Sequence, residues 1–204
     1  MQYYKQNKNN KYEMTNSDLM YNTFLILKKG FTPVNEIAQK VLEKCKMKAT
    51  SENLEKAQKI LHSALISISK DEKYWPVLTH CDRLEKALDD IAKLDIAIFE
   101  NYCCCIVCAK EKIKDDMKNI IEINDKINGY LYYTDKDIEN SIRLQLLYIH
   151  IGSTNNDKTS TINLANKVID ILRSYDFDAQ FDESRNDILI YSFEWKKRRP
   201  TNEQ

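Results

Sequence analysis

The chain has 204 residues, in which 31 basic side chains balance 31 acidic ones and 43% of the residues are hydrophobic. The balanced charge argues against proteins that bind nucleic acid or anionic membranes, and the hydrophobic fraction is large enough for a buried core. Only three glycines and three prolines occur, which disfavours a glycine-lined phosphate site and favours long helices.

Residues 1–16 are polar and lack the apolar segment of a secretory signal, so we predict a disordered tail there. No stretch approaches the roughly 20 apolar residues that a membrane-spanning helix needs. Six cysteines without a signal indicate reduced thiols or metal ligands. We therefore expect a cytoplasmic protein.

Residues 17–101 are predicted to form a helical part of about four helices, because apolar residues recur there at spacings of three and four. Gly30 is placed to end the first helix, and Thr32 with Pro33 would begin the second. After a break at Tyr74-Trp75-Pro76, the same spacing predicts a fourth helix that continues to Phe99.

The remaining chain is predicted to form a cysteine-rich segment with a connecting helix (102–128) and an α+β part (129–199). Short aromatic and β-branched runs indicate strands, and the last two of them form a hairpin. The order β-α-β-α-β-β predicts a small sheet with helices on one face. The predicted fold class is α+β, in one continuous folded unit.

Several motifs occur together along the chain. They are an aspartate-arginine-leucine helix start, an asparagine-aromatic-cysteine segment, a glycine-aromatic strand, an acidic pair and a strand ending in tryptophan and arginines: Asp82–Leu84, Asn101–Cys108, Gly129–Tyr133, Asp137 with Glu139, and Trp195 with Arg198 and Arg199. The set resembles a bacterial family known only as a domain of unknown function, over roughly residues 17–199. Thr134, Lys136, Phe181 and Glu183 depart from that family's pattern. The resemblance implies one folded unit and no particular activity.

Four of the six cysteines lie within six positions, at Cys103, Cys104, Cys105 and Cys108. Zinc usually takes its ligands from two separated pairs. Cys105 and Cys108 form one CxxC pair, and Cys104 or Cys103 would add a third thiolate. The candidate metal ligands are therefore Cys104, Cys105 and Cys108, with zinc as the ion. The available remote partners are Cys81, His80 and His150.

Two other interpretations of the cysteines remain open. They are also consistent with small buried hydrophobic residues at a helix end. A redox CxxC normally follows a strand and lies at a helix N-terminus. Because this motif is predicted to follow a helix, the sequence disfavours a redox role.

Other chemistries find less support. Asp135, Asp137 and Glu139 resemble the start of a calcium loop, but the later glycine and glutamate are missing. A nucleophilic pair of Cys105 with His150 is conceivable, and nothing in the spacing requires it. These observations favour a protein that is not an enzyme.

The leading hypothesis is a non-catalytic bacterial protein that binds another protein, such as an immunity protein that neutralises a toxin. Aromatic residues flanked by charges are typical of binding hot spots, which selects Tyr132, Asp137, Glu139, Trp195 and Arg198. In the alternative arrangement, these rings pack into the core. We expect no nucleic-acid or membrane partner and no cofactor. The second hypothesis is a zinc- or thiol-dependent protein centred on residues 103–108.

Overall fold

The computed structural model describes residues 15–199, so most of the predicted disordered tail lies outside the described residues. Within the described residues, internal contacts divide the chain into two compact units, 15–27 with 32–70 and 28–31 with 71–199. The boundaries predicted at 101 and 128 and the single continuous folded unit stay predictions.

The first unit is helical. It contains most of three helices, α1 (Asn16–Lys29), α2 (Val34–Lys44) and α3 (Ser51–Glu72). Each helix contributes an apolar face to one core, because its hydrophobic residues recur every three or four positions. The buried members of this core include Leu19, Ile37, Val41, Ala57, Leu61, Ala64 and Ile68.

The second unit combines a sheet with helices, which confirms the predicted α+β class. Within the described residues its elements are α4 (His80–Ala92), β1 (Ile96–Phe99), α5 (Ile106–Ile123), β2 (Gly129–Tyr132), α6 (Asp135–Leu144), β3 (Leu146–Ser153), α7 (Lys158–Ser174), β4 (Asp178–Asp182) and β5 (Asp187–Tyr191). The strand order is β1-β2-β3-β5-β4. Strands β1 and β2 are parallel, and the other neighbours are antiparallel.

Strand β1 corrects the prediction that the fourth helix continues to Phe99 and that all strands follow residue 129. Helix α4 ends at Ala92, and Asp95 takes a left-handed φ of 57° in the turn that follows. The apolar residues Ile91, Leu94 and Ile98 keep a helix-like spacing across this turn, which concealed the break. In the strand itself, alternate side chains point to opposite faces of the sheet.

Both faces of the sheet contact helices, which corrects the prediction of helices on one face. Ile96, Leu131 and Ile149 pack in one cluster with residues of α4 and α7. The alternate residues Phe99 and Tyr132 belong to another cluster, with residues of α5. Helix α5 therefore covers the opposite face where β1 and β2 lie.

Leu131 offers a test of this core, because it lies on the inner strand β2 and is fully buried. We expect Leu131→Ala to lower the free energy of unfolding by roughly 2–5 kcal/mol, since the truncation leaves a cavity. The matched control Leu144→Ala removes the same atoms at a residue that is 66% exposed. The control should change the free energy of unfolding by less than about 0.5 kcal/mol in urea denaturation. Equal losses in the two variants would contradict this packing.

Candidate metal centre

The cysteine segment lies between β1 and α5, in the crossover that joins the parallel pair β1 and β2. Backbone hydrogen bonds attach it to the chain beyond β2. The Tyr102 N–H donates to the Tyr133 carbonyl at 2.8 Å, and the Asp135 N–H donates to the Cys103 carbonyl at 3.1 Å. Asn101 and Cys103 take left-handed φ values of 48° and 57°, which side chains other than glycine adopt uncommonly. The path of the backbone into α5 is therefore well defined.

Helix α5 begins directly after Cys105, which occupies its N-cap in an extended conformation. Cys108 is the third residue of the helix, so its side chain lies beside the N-cap residue Cys105. Cys104 directly precedes Cys105 in the chain. The sulfur atoms are 3.4 Å apart for Cys104 and Cys108, and 3.8 Å apart for each of the other two pairs. We call Cys104, Cys105 and Cys108 the thiol triad. It is a group that could hold a metal ion.

The helix N-terminus also affects the acidity of the triad. The backbone N–H groups of Cys108 and Val107 interact with the Cys105 sulfur and lower the pKa of that thiol. The neighbouring Cys104 and Cys105 sulfurs raise the pKa of Cys108 to about 12. The N-terminus of α5 therefore favours ionisation of Cys105 over Cys108, and a second negative charge beside Cys105 is disfavoured unless a cation is present.

Cys103, which the sequence offered as an alternative third ligand, does not join the triad. Its side chain packs with the Tyr102 and Tyr132 cluster beneath α5. Burial is the main reason that the pKa of Cys103 is raised. Two exposed thiols, Cys104 and Cys108, and the partly exposed Cys105 remain at the surface.

None of the remote residues considered as a fourth ligand reaches the triad. Cys81 is only 6% exposed and lies in the main core. The Nδ1 atom of His80 accepts a hydrogen bond from the Glu194 N–H at 3.0 Å. Both ring nitrogens of His150 have carboxylate partners, so the conceivable pair with Cys105 is also excluded. Within residues 15–199, the group that could hold a metal consists of the three thiols alone.

The CxxC motif follows a strand and begins a helix, which corrects the expectation that it follows a helix. This error had the same origin as the missed strand, since Ile96–Phe99 was assigned to the preceding helix. The sequence-based objection to a redox role therefore no longer applies. The β-branched alternation of Ile96 and Ile98 was the available signal.

The predicted partner-binding residues lie mostly in the interior. Tyr132 and Trp195 are 2% and 7% exposed, which favours the alternative in which their rings pack in the core. Asp137 is also buried, and the Glu139 side chain is 14% exposed. Arg198 is the exposed member of the set, with 41% of its side chain accessible. Partner binding by these residues stays a prediction.

Asp137 and His150 belong to a buried charge cluster whose third member, Asp187, the sequence analysis missed. His150 contacts Asp187 Oδ1 through Nδ1 at 2.6 Å and Asp137 Oδ2 through Nε2 at 3.0 Å. Burial alone would lower the pKa of His150, but the hydrogen bonds and charges of Asp137 and Asp187 outweigh it and raise the pKa to about 9. The cluster therefore holds an imidazolium between two carboxylates.

A short apolar loop before α4 is the most exposed hydrophobic segment of the second unit. We call residues 74–78 the apolar loop. Tyr74, Val77 and Leu78 are 89%, 91% and 51% exposed. Arg198 braces the loop, because its Nη2 donates to the Pro76 carbonyl at 2.7 Å while Nη1 binds the Asp82 carboxylate. The sequence marked this segment only as a helix break.

A family model described as "Domain of unknown function (DUF6891)" matches residues 15–199, nearly the whole chain. The chain belongs to the DUF6891 family. The match confirms the resemblance to a family of unknown function that the sequence motifs indicated. No curated protein and no solved structure matches the chain.

In the part of this DUF6891 chain that the structure describes, no helix has both the length and the apolar character to cross a bilayer.

The His150 cluster of this DUF6891 chain predicts a pH-dependent stability. Since the folded-state pKa of about 9 exceeds the ordinary value of 6.5, the imidazolium stabilises the fold fully below pH 6.5. This contribution, about 3 kcal/mol in the free energy of unfolding, should be lost as the pH rises from 6.5 to 9. Urea denaturation at a series of pH values measures it.

His150→Gln should remove that pH dependence and cost roughly 3–5 kcal/mol near pH 6, because two buried carboxylates lose their cation. His62→Gln changes an exposed histidine of α3 and serves as the control. A pH dependence that survives in His150→Gln would show that another group causes it.

Proposed function

We propose that the thiol triad binds a thiophilic metal ion, with Zn²⁺ as the best fit. The observation that supports this is the separation of the sulfur atoms. Zinc binds thiolates at about 2.3 Å in a tetrahedron, so its sulfur ligands lie about 3.8 Å apart. The sulfurs of Cys104, Cys105 and Cys108 are 3.4–3.8 Å apart, and they would need little movement to take three corners of that tetrahedron.

The local electrostatics support the same proposal. Thiolates are the form that binds metal, and a metal ion promotes loss of their protons. The N-terminus of α5 lowers the pKa of Cys105 and so favours the first thiolate. The pKa of Cys108 is raised first by the hydrogen bonds between its thiol and the Cys104 and Cys105 sulfurs, and then by the negative charge of those sulfurs, which a divalent cation would offset. Metal binding should accordingly release protons.

The proposed site has an open fourth position. Three protein ligands with one exchangeable position are typical of zinc sites that bind water or a substrate, whereas structural sites have four protein ligands. Because Cys104 and Cys108 are exposed, the fourth ligand would come from solvent or from another molecule. We therefore propose an exchangeable zinc site rather than a structural one.

The reduced full chain should bind one Zn²⁺ per molecule in calorimetry and in elemental analysis after dialysis. A Cys104→Ser/Cys108→Ser variant should bind at least about 100-fold more weakly, because loss of direct ligands exceeds the roughly 10–100-fold effect of losing a second-shell partner. Circular dichroism should show both proteins folded, since the triad is at the surface.

Cys103→Ser is the matched control, because Cys103 is adjacent to the triad but packs toward the core. It should retain the affinity of the unaltered chain. Stoichiometric zinc binding by the double serine variant, or equal losses in the control, would contradict the assignment of the ligands.

Protein binding is a second candidate, supported by the apolar loop. An exposed segment with tyrosine, tryptophan and aliphatic side chains has the composition of a binding hot spot. The interactions of Arg198 with the Pro76 carbonyl and the Asp82 carboxylate hold the loop in place, which limits the conformational entropy that it would lose on binding. An immunity protein that neutralises a toxin would be one protein of this class.

For this candidate, Val77→Asp/Leu78→Asp should weaken binding to an identified and purified partner by at least tenfold, because about 2–4 kcal/mol is typical of hot-spot residues. Ile123→Asp is the control, since Ile123 is 88% exposed and lies outside the loop. If the partner is a toxin, co-expression of the unaltered chain should restore growth and the loop variant should not. Equal binding by the loop variant and the control would contradict a role for the loop.

A further inference from the structure

The thiol triad can be oxidised as well as bind metal, because all three thiols are free and mutually close. The nearest sulfur atoms are those of Cys104 and Cys108, at 3.4 Å, and both residues are exposed. Cys105 occupies the helix N-cap and is less exposed than either neighbour. An oxidant in solution would therefore meet Cys104 and Cys108 first.

The backbone restricts which disulfides can form. A disulfide normally requires Cα atoms about 4.4–6.8 Å apart. Adjacent residues joined by a trans peptide have Cα atoms about 3.8 Å apart. No peptide bond in the described chain is cis, so a disulfide between Cys104 and Cys105 would require distortion of the backbone. Cys108 is thus the residue that can close a disulfide, and its nearest partner is Cys104.

We propose that a low-molecular-weight disulfide oxidises Cys104 and Cys108 to a disulfide and thereby releases the metal from the triad. The site would then bind metal under reducing conditions and lose it under oxidising ones. The release of metal rests on the zinc binding proposed above, whereas the formation of the disulfide does not.

The reaction proceeds by two thiol–disulfide exchanges. In the first, the Cys104 thiolate attacks one sulfur of RSSR, forms a mixed disulfide and expels RS⁻. In the second, the Cys108 thiolate attacks the Cys104 sulfur, which forms the protein disulfide and expels a second RS⁻. In the metal-free chain, the two protons lost by the protein protonate the two RS⁻ ions. In the zinc-bound chain, where the thiolates lost their protons on metal binding, solvent supplies those two protons. Two protein thiols are oxidised, and RSSR is reduced to two RSH.

Zinc does not change its oxidation state in this sequence. It loses two of its three protein ligands because disulfide sulfur no longer carries the thiolate charge. Cys105 alone then remains, and one thiolate does not retain the ion against water and free thiols. Reduction by an excess of RSH reverses both exchanges and restores the triad.

The experiment uses the full chain, oxidised glutathione as the disulfide, and parallel metal-free and zinc-loaded samples. In the metal-free sample, the six thiols of the reduced chain should fall to four, and peptide mass spectrometry should identify a disulfide between Cys104 and Cys108. In the zinc-loaded sample, a chromogenic chelator should detect one Zn²⁺ released for each disulfide formed. Retention of all six thiols in the metal-free sample would overturn the proposal.

The two proposals fail in distinguishable ways. If the reduced chain binds no zinc but forms the disulfide, the proposed metal function fails and the oxidation stands. If zinc binds and remains bound while the Cys104–Cys108 disulfide forms, the proposed regulation is overturned and the metal function stands.

Single serine variants test which thiols react. Cys105→Ser should still form the intramolecular disulfide, and Cys103→Ser should behave as the unaltered chain. Cys104→Ser should close an intramolecular disulfide more slowly than the unaltered chain, because only the Cys105–Cys108 pair, at 3.8 Å, remains. Cys108→Ser should accumulate a mixed disulfide with one glutathione per chain, which adds a defined mass in intact-protein mass spectrometry. Closure of an intramolecular disulfide by Cys104→Ser at the rate of the unaltered chain would overturn the assignment of Cys104.

Discussion

The parallel pairing of β1 with β2 is the constraint on which the second unit depends. Two parallel neighbours cannot be joined by a tight turn, so the chain must cross over between them, and here it does so through α5. The crossover brings the cysteine segment to the end of β1 and places Cys105 at the start of the helix. The same helix covers one face of β1 and β2 through Ile113 and Met117. The position of the thiol triad is therefore a consequence of the sheet topology.

A second constraint is a buried cluster of charged residues, which lies on the same face of the sheet as α5. His150 on β3, Asp187 on β5 and Asp137 in the first turn of α6 bring three elements to one buried point. Asp137 also caps α6, since it accepts from the Thr134 backbone N–H at 2.9 Å. Such a cluster stabilises a structure only when every charge has its partner. The Nε atom of Arg185 lies 3.0 Å from Asp187 Oδ2, the carboxylate oxygen that does not contact His150. The two groups form an ion pair, but their geometry is not that of a hydrogen bond. The half-exposed Arg185 thus supplies the remaining positive charge of the cluster, from the side that faces solvent.

Much of the fold could be predicted from local patterns. The helices with a clear apolar stripe, such as α4 and α7, and the final hairpin follow from periodicities of 3.6 and 2 residues. Strand β1 could not be identified in this way, because Leu94 and Ile98 continue the spacing of α4 and only the left-handed turn at Asp95 separates the helix from the strand.

For the candidate site, sequence spacing selected the three cysteines that converge. Their distances could not be inferred, because they depend on the strand before them and on the turn at Cys103. The sequence left open whether Tyr132 is exposed or packs in the core, because its burial depends on α5, which covers that face of β1 and β2. Asp187 was overlooked because its partner His150 is 37 residues distant in sequence.

The two edges of the sheet have a consequence for self-association. Edge strands expose unpaired backbone groups that can pair with another chain, and proteins limit this by keeping such strands short or charged. Strand β1 has four residues, and β4 has five and carries an aspartate at each end, Asp178 and Asp182. A second β4 approaching in antiparallel register would bring aspartates opposite each other, which like-charge repulsion disfavours. Both edges thus carry features that oppose sheet extension and the fibrous aggregation it can begin.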